Sequence, residues 1–300
     1  MNYIKIVLFF TVILFLPVLL FGNDLTAGAC KKYKYKGVEY TFKYCPPCPR
    51  FPNGFWLSET EVTLKMYKQF IEENPNYLSS SRNVGILTSD IKKDYNSNDY
   101  SWRSVGFIQS DLHPVTLISA HDAIVFCKWL SKRLNVSIRL PYDTEWLYAA
   151  SEGKDDIHSC IITEDNFFKY GNFADKKFYE FFRHTSKDEY SDGYIFTAPV
   201  KSYLPNKWGL YDMFGNVSEI TIPSYLAEYY NDLIGNVSEK TAFSNKIKEF
   251  DVSLYGGSWL EKPHIILFGP KLYPFETSCF SRKSNRADNH IGFRLLLEYN

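Results

Sequence analysis

His113-Pro114-Val115-Thr116-Leu117-Ile118-Ser119-Ala120-His121-Asp122-Ala123-Ile124-Val125-Phe126-Cys127-Lys128-Trp129-Leu130, running on to Arg139-Leu140-Pro141-Tyr142-Asp143-Thr144-Glu145-Trp146-Leu147-Tyr148-Ala149-Ala150, carries the strongest periodic signal in the chain. Ser119 followed three residues later by Asp122 forms a capping-box pattern. Ala123, Cys127, Leu130 and Leu134 then recur at helical spacing, and Asn135 can stop the helix in a left-handed conformation. Cys127 falls on the apolar stripe, so it reads as a small buried hydrophobe rather than a nucleophile. After Pro141 a short helix carries Trp146, Ala149 and Ala150 and ends near Gly153.

Upstream, Val38-Glu39-Tyr40-Thr41-Phe42 alternates as a strand does, and Phe55–Leu57 suggests another. Thr63 can cap a helix with Leu64, Tyr67 and Ile71 on one face, closing near Asn74-Pro75. Residues 76–104 are rich in Ser, Asn and Asp with little periodicity, which predicts a long surface insertion. Beyond residue 155, Gly, Pro, Asn, Asp and aromatics are scattered through long irregular stretches. So much irregular backbone in a compact domain requires metal ions, disulfides or dense packing to hold it. Two or three early helices with short strands around a loop-rich remainder predict an α+β domain.

The 300 residues include 24 Phe, 23 Tyr and 6 Trp, ample for an aromatic core, and 34 acidic residues balance 34 basic ones. A neutral chain has no global field to attract nucleic acid, so nucleic-acid partners are not expected. Lys5 precedes an apolar run from Ile6 to Phe21, then Gly22-Asn23-Asp24. This is the pattern of a cleaved signal peptide over 1–22 and predicts export, to the periplasm, the cell surface or beyond. The competing reading is a membrane anchor, for which the run is short and interrupted by Pro17. A stable span after cleavage is not expected. Lipid anchoring at Cys30, after Ala27-Gly28-Ala29, is a further alternative. Cys45-Pro46-Pro47-Cys48 lacks the βαβ context of a redox motif, and structural bridging with Cys30 is the expectation for an exported chain.

Several segments, in order, resemble one family. They are Glu61-Val62-Thr63; His113-Pro114-Val115 with Asp122-Ala123 and Phe126-Cys127-Lys128-Trp129-Leu130; and Arg139-Leu140-Pro141 with Glu145-Trp146 and Tyr148-Ala149-Ala150. Thr197-Ala198-Pro199-Val200, Gly209-Leu210-Tyr211-Asp212-Met213, Gly215-Asn216-Val217 with Glu219, Gly256-Gly257-Ser258-Trp259 and Gly292-Phe293-Arg294 follow. The chain is identified by these as a member of the formylglycine-generating enzyme, or sulfatase-modifying factor, family. The resemblance implies a loop-rich, metal-stabilised variant of the C-type lectin-like fold over residues 38–297, with 23–37 as an N-terminal extension. It also implies two calcium sites, one at Asn172, Phe173, Asp192 and Tyr194, the other at Asp212, Gly215, Val217 and Glu219. Oxygen ligands in loops suit such a hard cation, although by spacing alone the same residues read as ordinary turn formers.

Oxidase members of the family hold copper(I) on two thiolates just after the Gly-Gly-Ser-aromatic segment, and soft sulfur is what copper(I) selects. Here Gly256-Gly257-Ser258-Trp259-Leu260-Glu261-Lys262-Pro263-His264-Ile265-Ile266 contains no cysteine. Glu261 and Ile266 stand at the two thiolate positions, so copper is not expected. The family's Trp-Glu-Trp also departs to Ser218-Glu219-Ile220, and Tyr142 replaces the usual capping Thr. The expectation is a non-catalytic, calcium-stabilised module that binds a protein, peptide or glycan, with Trp259, His264, Arg282, Asn285 and Asn289 as its recognition residues. The alternative is an oxidase that converts a peptide cysteine to formylglycine with an altered metal site. Arg294 reads as the member of an internal salt bridge. Gly235-Asn236-Val237-Ser238-Glu239 repeats the earlier Gly215–Glu219 sequence without its Tyr-Asp-Met context.

Overall fold

The computed structural model describes residues 25–79, 83–86, 100–154, 166–185, 190–236, 249–262 and 280–298. The predicted signal segment, the thiolate position Ile266, the candidate ligand residue His264 and Cys160 and Cys279 lie outside them.

Eleven strands and five α-helices build the described fold: β1 (Cys30–Tyr35), β2 (Val38–Cys45), β3 (Phe55–Ser58), α1 (Leu64–Glu73), β4 (Asn83–Gly85), α2 (Ala120–Leu134), β5 (Ile138–Arg139), α3 (Asp143–Ala150), α4 (Lys176–Phe181), β6 (Ser218–Thr221), α5 (Ala227–Asn236), β7 (Asp251–Tyr255), β8 (Phe280–Lys283), β9 (Arg286–Asp288), β10 (Ile291–Gly292) and β11 (Leu296–Leu297). One sheet runs β1-β2-β3-β11-β5, another β10-β6-β7-β8, and β4 pairs with β9. The mixed α+β class is the one expected. β11 lies antiparallel between β3 and β5, so the last strand closes on the first ones.

Both early caps form as the sequence predicts. Ser119 Oγ accepts Asp122 N–H at 3.2 Å while Asp122 Oδ2 accepts Ser119 N–H at 2.8 Å, and Asn135 ends α2 at φ 54°. Thr63 Oγ1 accepts Met66 N–H at the start of α1. The apolar stripes of α1 and α2 then meet in an aromatic core where Tyr67 stacks on Phe126 with 5.8 Å between centroids. Glu73 at the end of α1 accepts from Tyr35 and from Trp129 Nε1, which ties β1 and α2 to the same point.

Four features differ from the sequence reading. β1 pairs antiparallel with β2 through a two-residue Lys36-Gly37 turn, both residues at positive φ. That is the hairpin chemistry glycine permits, and it makes residues 30–35 part of the large sheet. The 76–104 region contains β4, paired in parallel with β9. Regular structure persists past residue 155: Asp175 caps α4 through Phe178 N–H at 2.8 Å, and α5 follows. Finally, Cys30, Cys45, Cys48 and Cys127 are free thiols, so the expected bridge to Cys30 is absent among the described residues. Cys30 stands opposite Lys43 on the exposed edge strand, whereas Cys45 is buried against β3. Cys127 is buried on α2 as predicted, and burial pushes its thiol well above the ordinary range.

The pairing that matters most for the site is β10 with β6. Gly292 stands beside Glu219 in parallel register, and a side chain on Gly292 would meet Val217 at 2.7 Å. That close approach brings Arg294, two residues on, over the carboxylate of Glu219.

Candidate functional site

The turn from Asp212 to Val217 is wound through left-handed backbone: Asp212 at φ 54°, Gly215 at 75° and Asn216 at 57°. At Gly215 the requirement is absolute, because a Cβ there would sit 2.3 Å from the carbonyl oxygen of Asn172. The turn therefore lies directly on residue 172, and Asn172 accepts Asn216 N–H through that carbonyl at 2.8 Å. Two sets of residues that sequence treated as separate calcium sites are thereby in contact.

Asn216, fully buried, is the node of the region. Its Oδ1 accepts from Ala198 N–H at 2.8 Å and from Asn172 Nδ2 at 3.3 Å, and its Nδ2 donates to Glu61 Oε2 at 2.8 Å. Glu61 also accepts Val217 N–H at 3.2 Å. Around this node three buried carboxylates, Glu61, Asp212 and Glu219, face one buried guanidinium, Arg294. Arg294 donates to Glu219 through Nε at 2.6 Å and through Nη2, and also to the carbonyls of Ser58 and Tyr211. Trp146 Nε1 supplies Glu219 Oε2 with a further donor at 2.7 Å. Burial, reinforced by the neighbouring Asp212 and Glu219, holds the Glu61 carboxyl well above the usual carboxylate range. Burial also raises Asp212, although Lys201 N–H donates to it.

Two buried oxygens in this region have no partner: Oδ1 of Asn172 and Oδ1 of Asp212. Such atoms are costly to leave unpaired, and a hard cation would take them up. Asn172 and Asp212 thus fit calcium. Glu219 fits it poorly as a side-chain ligand, because three donors from Arg294 and Trp146 already occupy its carboxylate. At the other set, Asp192 accepts from Phe173 N–H at 2.8 Å and from Tyr194 N–H at 3.0 Å, and burial pushes its carboxyl up to about 7. Asp175, which sequence reading missed, ties the same loop by accepting Asp192 N–H at 2.9 Å. Among the described residues no three His, Cys, Asp or Glu side chains gather as a metal-ligand group. Calcium here would depend on amide and main-chain oxygens for much of its shell.

Three of the five expected recognition residues face inward. Trp259 and Asn289 are fully buried and Asn285 nearly so. Trp259 is enclosed by Phe107, Phe178 and Phe196, each with a ring centroid within about 6 Å of it. Asn289 donates to the Val105 carbonyl at 3.0 Å. Both are polar or amphipathic groups turned inward by loop packing, which composition cannot reveal. Arg282 pairs through its backbone with Val252 in the β7–β8 ladder; its side chain lies outside the described residues. Beside Trp259, Glu261 folds back: its Oε2 accepts from Ser258 Oγ at 2.6 Å and from Ser258 N–H, and its carbonyl accepts Ala174 N–H at 3.1 Å.

Comparison with known proteins agrees with this architecture. The chain matches the sulfatase-modifying factor enzyme 1-like domain over residues 33–299 and belongs to that family. It is similar to the formylglycine-generating enzyme of Mus musculus, 23% identical over 278 residues, covering 82% of this chain and 67% of that protein. The formylglycine-generating enzyme of Streptomyces coelicolor is 35% identical over 199 residues, 58% of this chain and 60% of its own. A Bos taurus protein named inactive C-alpha-formylglycine-generating enzyme 2 is 33% identical over 117 residues, 38% of this chain and 34% of its own. This chain thus spans about two thirds or less of the lengths of these relatives. In fold it is similar to PvdO from Pseudomonas aeruginosa, with TM-score 0.57 and 19% identity over 92% of this chain and all of the other. Treponema denticola variable protein 1 is similar too, with TM-score 0.53 and 18% identity over 90% of this chain and 99% of the other.

Proposed function

We propose that this protein is an exported, non-catalytic member of the family, stabilised by calcium and binding a protein, peptide or glycan partner. The observation that carries the reading is the state of Glu261. It stands where the first copper-binding thiolate belongs in oxidase members, it is a hard oxygen donor, and one of its carboxylate oxygens is taken by Ser258. Copper(I) needs soft sulfur, and the segment from 256 to 266 has none. Calcium would be held by Asn172 and Asp192 with carbonyls from Phe173 and Tyr194, and by Asp212 with carbonyls from Gly215 and Val217. Its role is to neutralise buried carboxylate charge and fix loops that have little regular structure. No helix among the described residues is long and apolar enough to cross a membrane.

The test incubates the chain from residue 23 onward with copper(I), oxygen and a cysteine-containing sulfatase peptide, beside an active formylglycine-generating enzyme. Mass spectrometry follows the thiol. An unchanged peptide with this chain, against full conversion by the control, is the expected result. Conversion to the aldehyde would overturn the reading and make the protein an oxidase with a substituted metal site.

A further inference from the structure

His121 is the second residue of α2 and is almost wholly buried. Its ring meets Phe250 edge-on, with centroids 5.5 Å apart and planes at 81°. Its main-chain N–H faces the Ser284 carbonyl at 3.5 Å. Neither ring nitrogen makes a well-formed hydrogen bond, although the Ser284 backbone lies near enough to act on the ring. The turn packed against it, between β8 and β9, carries the buried Ser284 and Asn285. Asn285 donates through Nδ2 to Glu249 and leaves its Oδ1 unpartnered. Buried polar atoms left poorly paired on α2 and on the turn packed against it call for an explanation, since native interiors pair nearly all such groups. Neither belongs to the candidate calcium residues.

The neutral imidazole is the form this environment tolerates. One wall is the Phe250 ring, and the first turn of α2 presents the positive end of the helix dipole. Two carboxylates and the Ser284 backbone act on the ring, all favouring its charged form. Asp122, on the same helix, is already occupied by Ser119, Tyr77 and Ser79. Glu249, just before β7, is held by Asn285. Burial outweighs all three and lowers the imidazole's proton affinity below its ordinary value.

We propose that His121 is an acid-sensitive latch: neutral, it lets the Ser284–Asn285 turn close over the start of α2, and protonated, it forces that turn open. The turn holds several connections. Ser284 N–H donates to the Phe250 carbonyl at 2.9 Å and Leu117 N–H to that of Asp288 at 3.2 Å. β9 carries the pairing with β4, and Asn289 holds the Val105 carbonyl. Val105 lies in the wall of a cavity of about 530 Å³, with Trp102, Arg103 and Phe107 from its own loop and Leu64 and Ile71 from α1. Opening the turn therefore loosens β4–β9 and one wall of that cavity together.

The sign follows from linkage. A histidine whose folded-state affinity for protons is depressed gives stability that is complete above its unfolded pKa of about 6.5 and is lost as pH falls through the folded value. Amide hydrogen exchange of the full chain, read by mass spectrometry and corrected for the intrinsic rate, tests it between about pH 7.5 and 5. Peptides covering 280–290 are expected to lose protection below about pH 6.5, by up to tenfold per pH unit for a single linked proton. His121→Phe is expected to abolish that loss. Unchanged protection in the wild type, or the same loss in His121→Phe, would overturn the proposal. Should His121→Phe not fold, NMR titration of the His121 ring in the wild type decides it: a midpoint below 6.5 supports the latch, and one at or above 6.5 refutes it.

Discussion

Replacing Arg294 with Met should be among the most damaging single changes available in this fold. The guanidinium is fully buried, pairs with Glu219 through two nitrogens and is the buried cation facing Glu61, Asp212 and Glu219. Met fills similar volume without the charge, so the loss is electrostatic rather than a cavity. Removing one partner of a buried pair costs about 3–5 kcal/mol, because the other charge is left uncompensated. The carbonyls of Ser58 and Tyr211 also lose a donor. With an unfolding entropy of roughly 2.1 cal/mol/K per residue over the ~210 described residues, that corresponds to a fall in Tm of about 7–11 °C. Urea unfolding and calorimetry in the presence of a chelator measure it. The decisive variant adds Glu219→Gln to Arg294→Met. Removing the stranded charge should recover about 1–3 kcal/mol, which is a non-additive result between contacting residues. A single-mutant loss below about 1 kcal/mol, or a double mutant less stable than Arg294→Met alone, would refute the charge reasoning.

Three further expectations rest on the same site. Gly215→Ala should cost at least about 3 kcal/mol or prevent folding, because the added Cβ meets the Asn172 carbonyl and the residue sits at positive φ; thermal denaturation checks it. Without calcium, Asp192 should weaken the protein as pH rises from about 4 towards 7, since its folded pKa of about 7 means that the folded state holds a proton the unfolded state has released. Asp192→Asn should therefore gain on the wild type across that window and run parallel to it above, as urea midpoints at several pH values would show. Calcium should raise Tm, a chelator should reverse this, and Asp212→Ala should blunt the effect, because it deletes one of the two unpartnered buried oxygens.

Helix caps were legible because their chemistry is local. Ser119 with Asp122, Thr63 and Asn135 act within four residues of themselves, and all three do what their spacing predicts. The family was legible because its motifs are short, ordered segments. β1 was missed although Lys36-Gly37 offered a turn signal, since a Lys- and Tyr-rich edge strand lacks a clean apolar alternation.

By itself, then, the sequence determined the mixed α+β class, the family, the early helices and the absence of sulfur in 256–266. Each is a property of neighbouring residues, which covalent order preserves whatever the chain does later. Only the tertiary structure decided that Trp259 and Asn289 face inward, that Glu219 belongs to Arg294, and that Asn216 links Glu61, Asn172 and Ala198. These contacts join residues separated by up to 184 positions. Whether a polar group meets solvent, a cation or another side chain is settled by burial, and burial depends on which distant segments the sheets bring together.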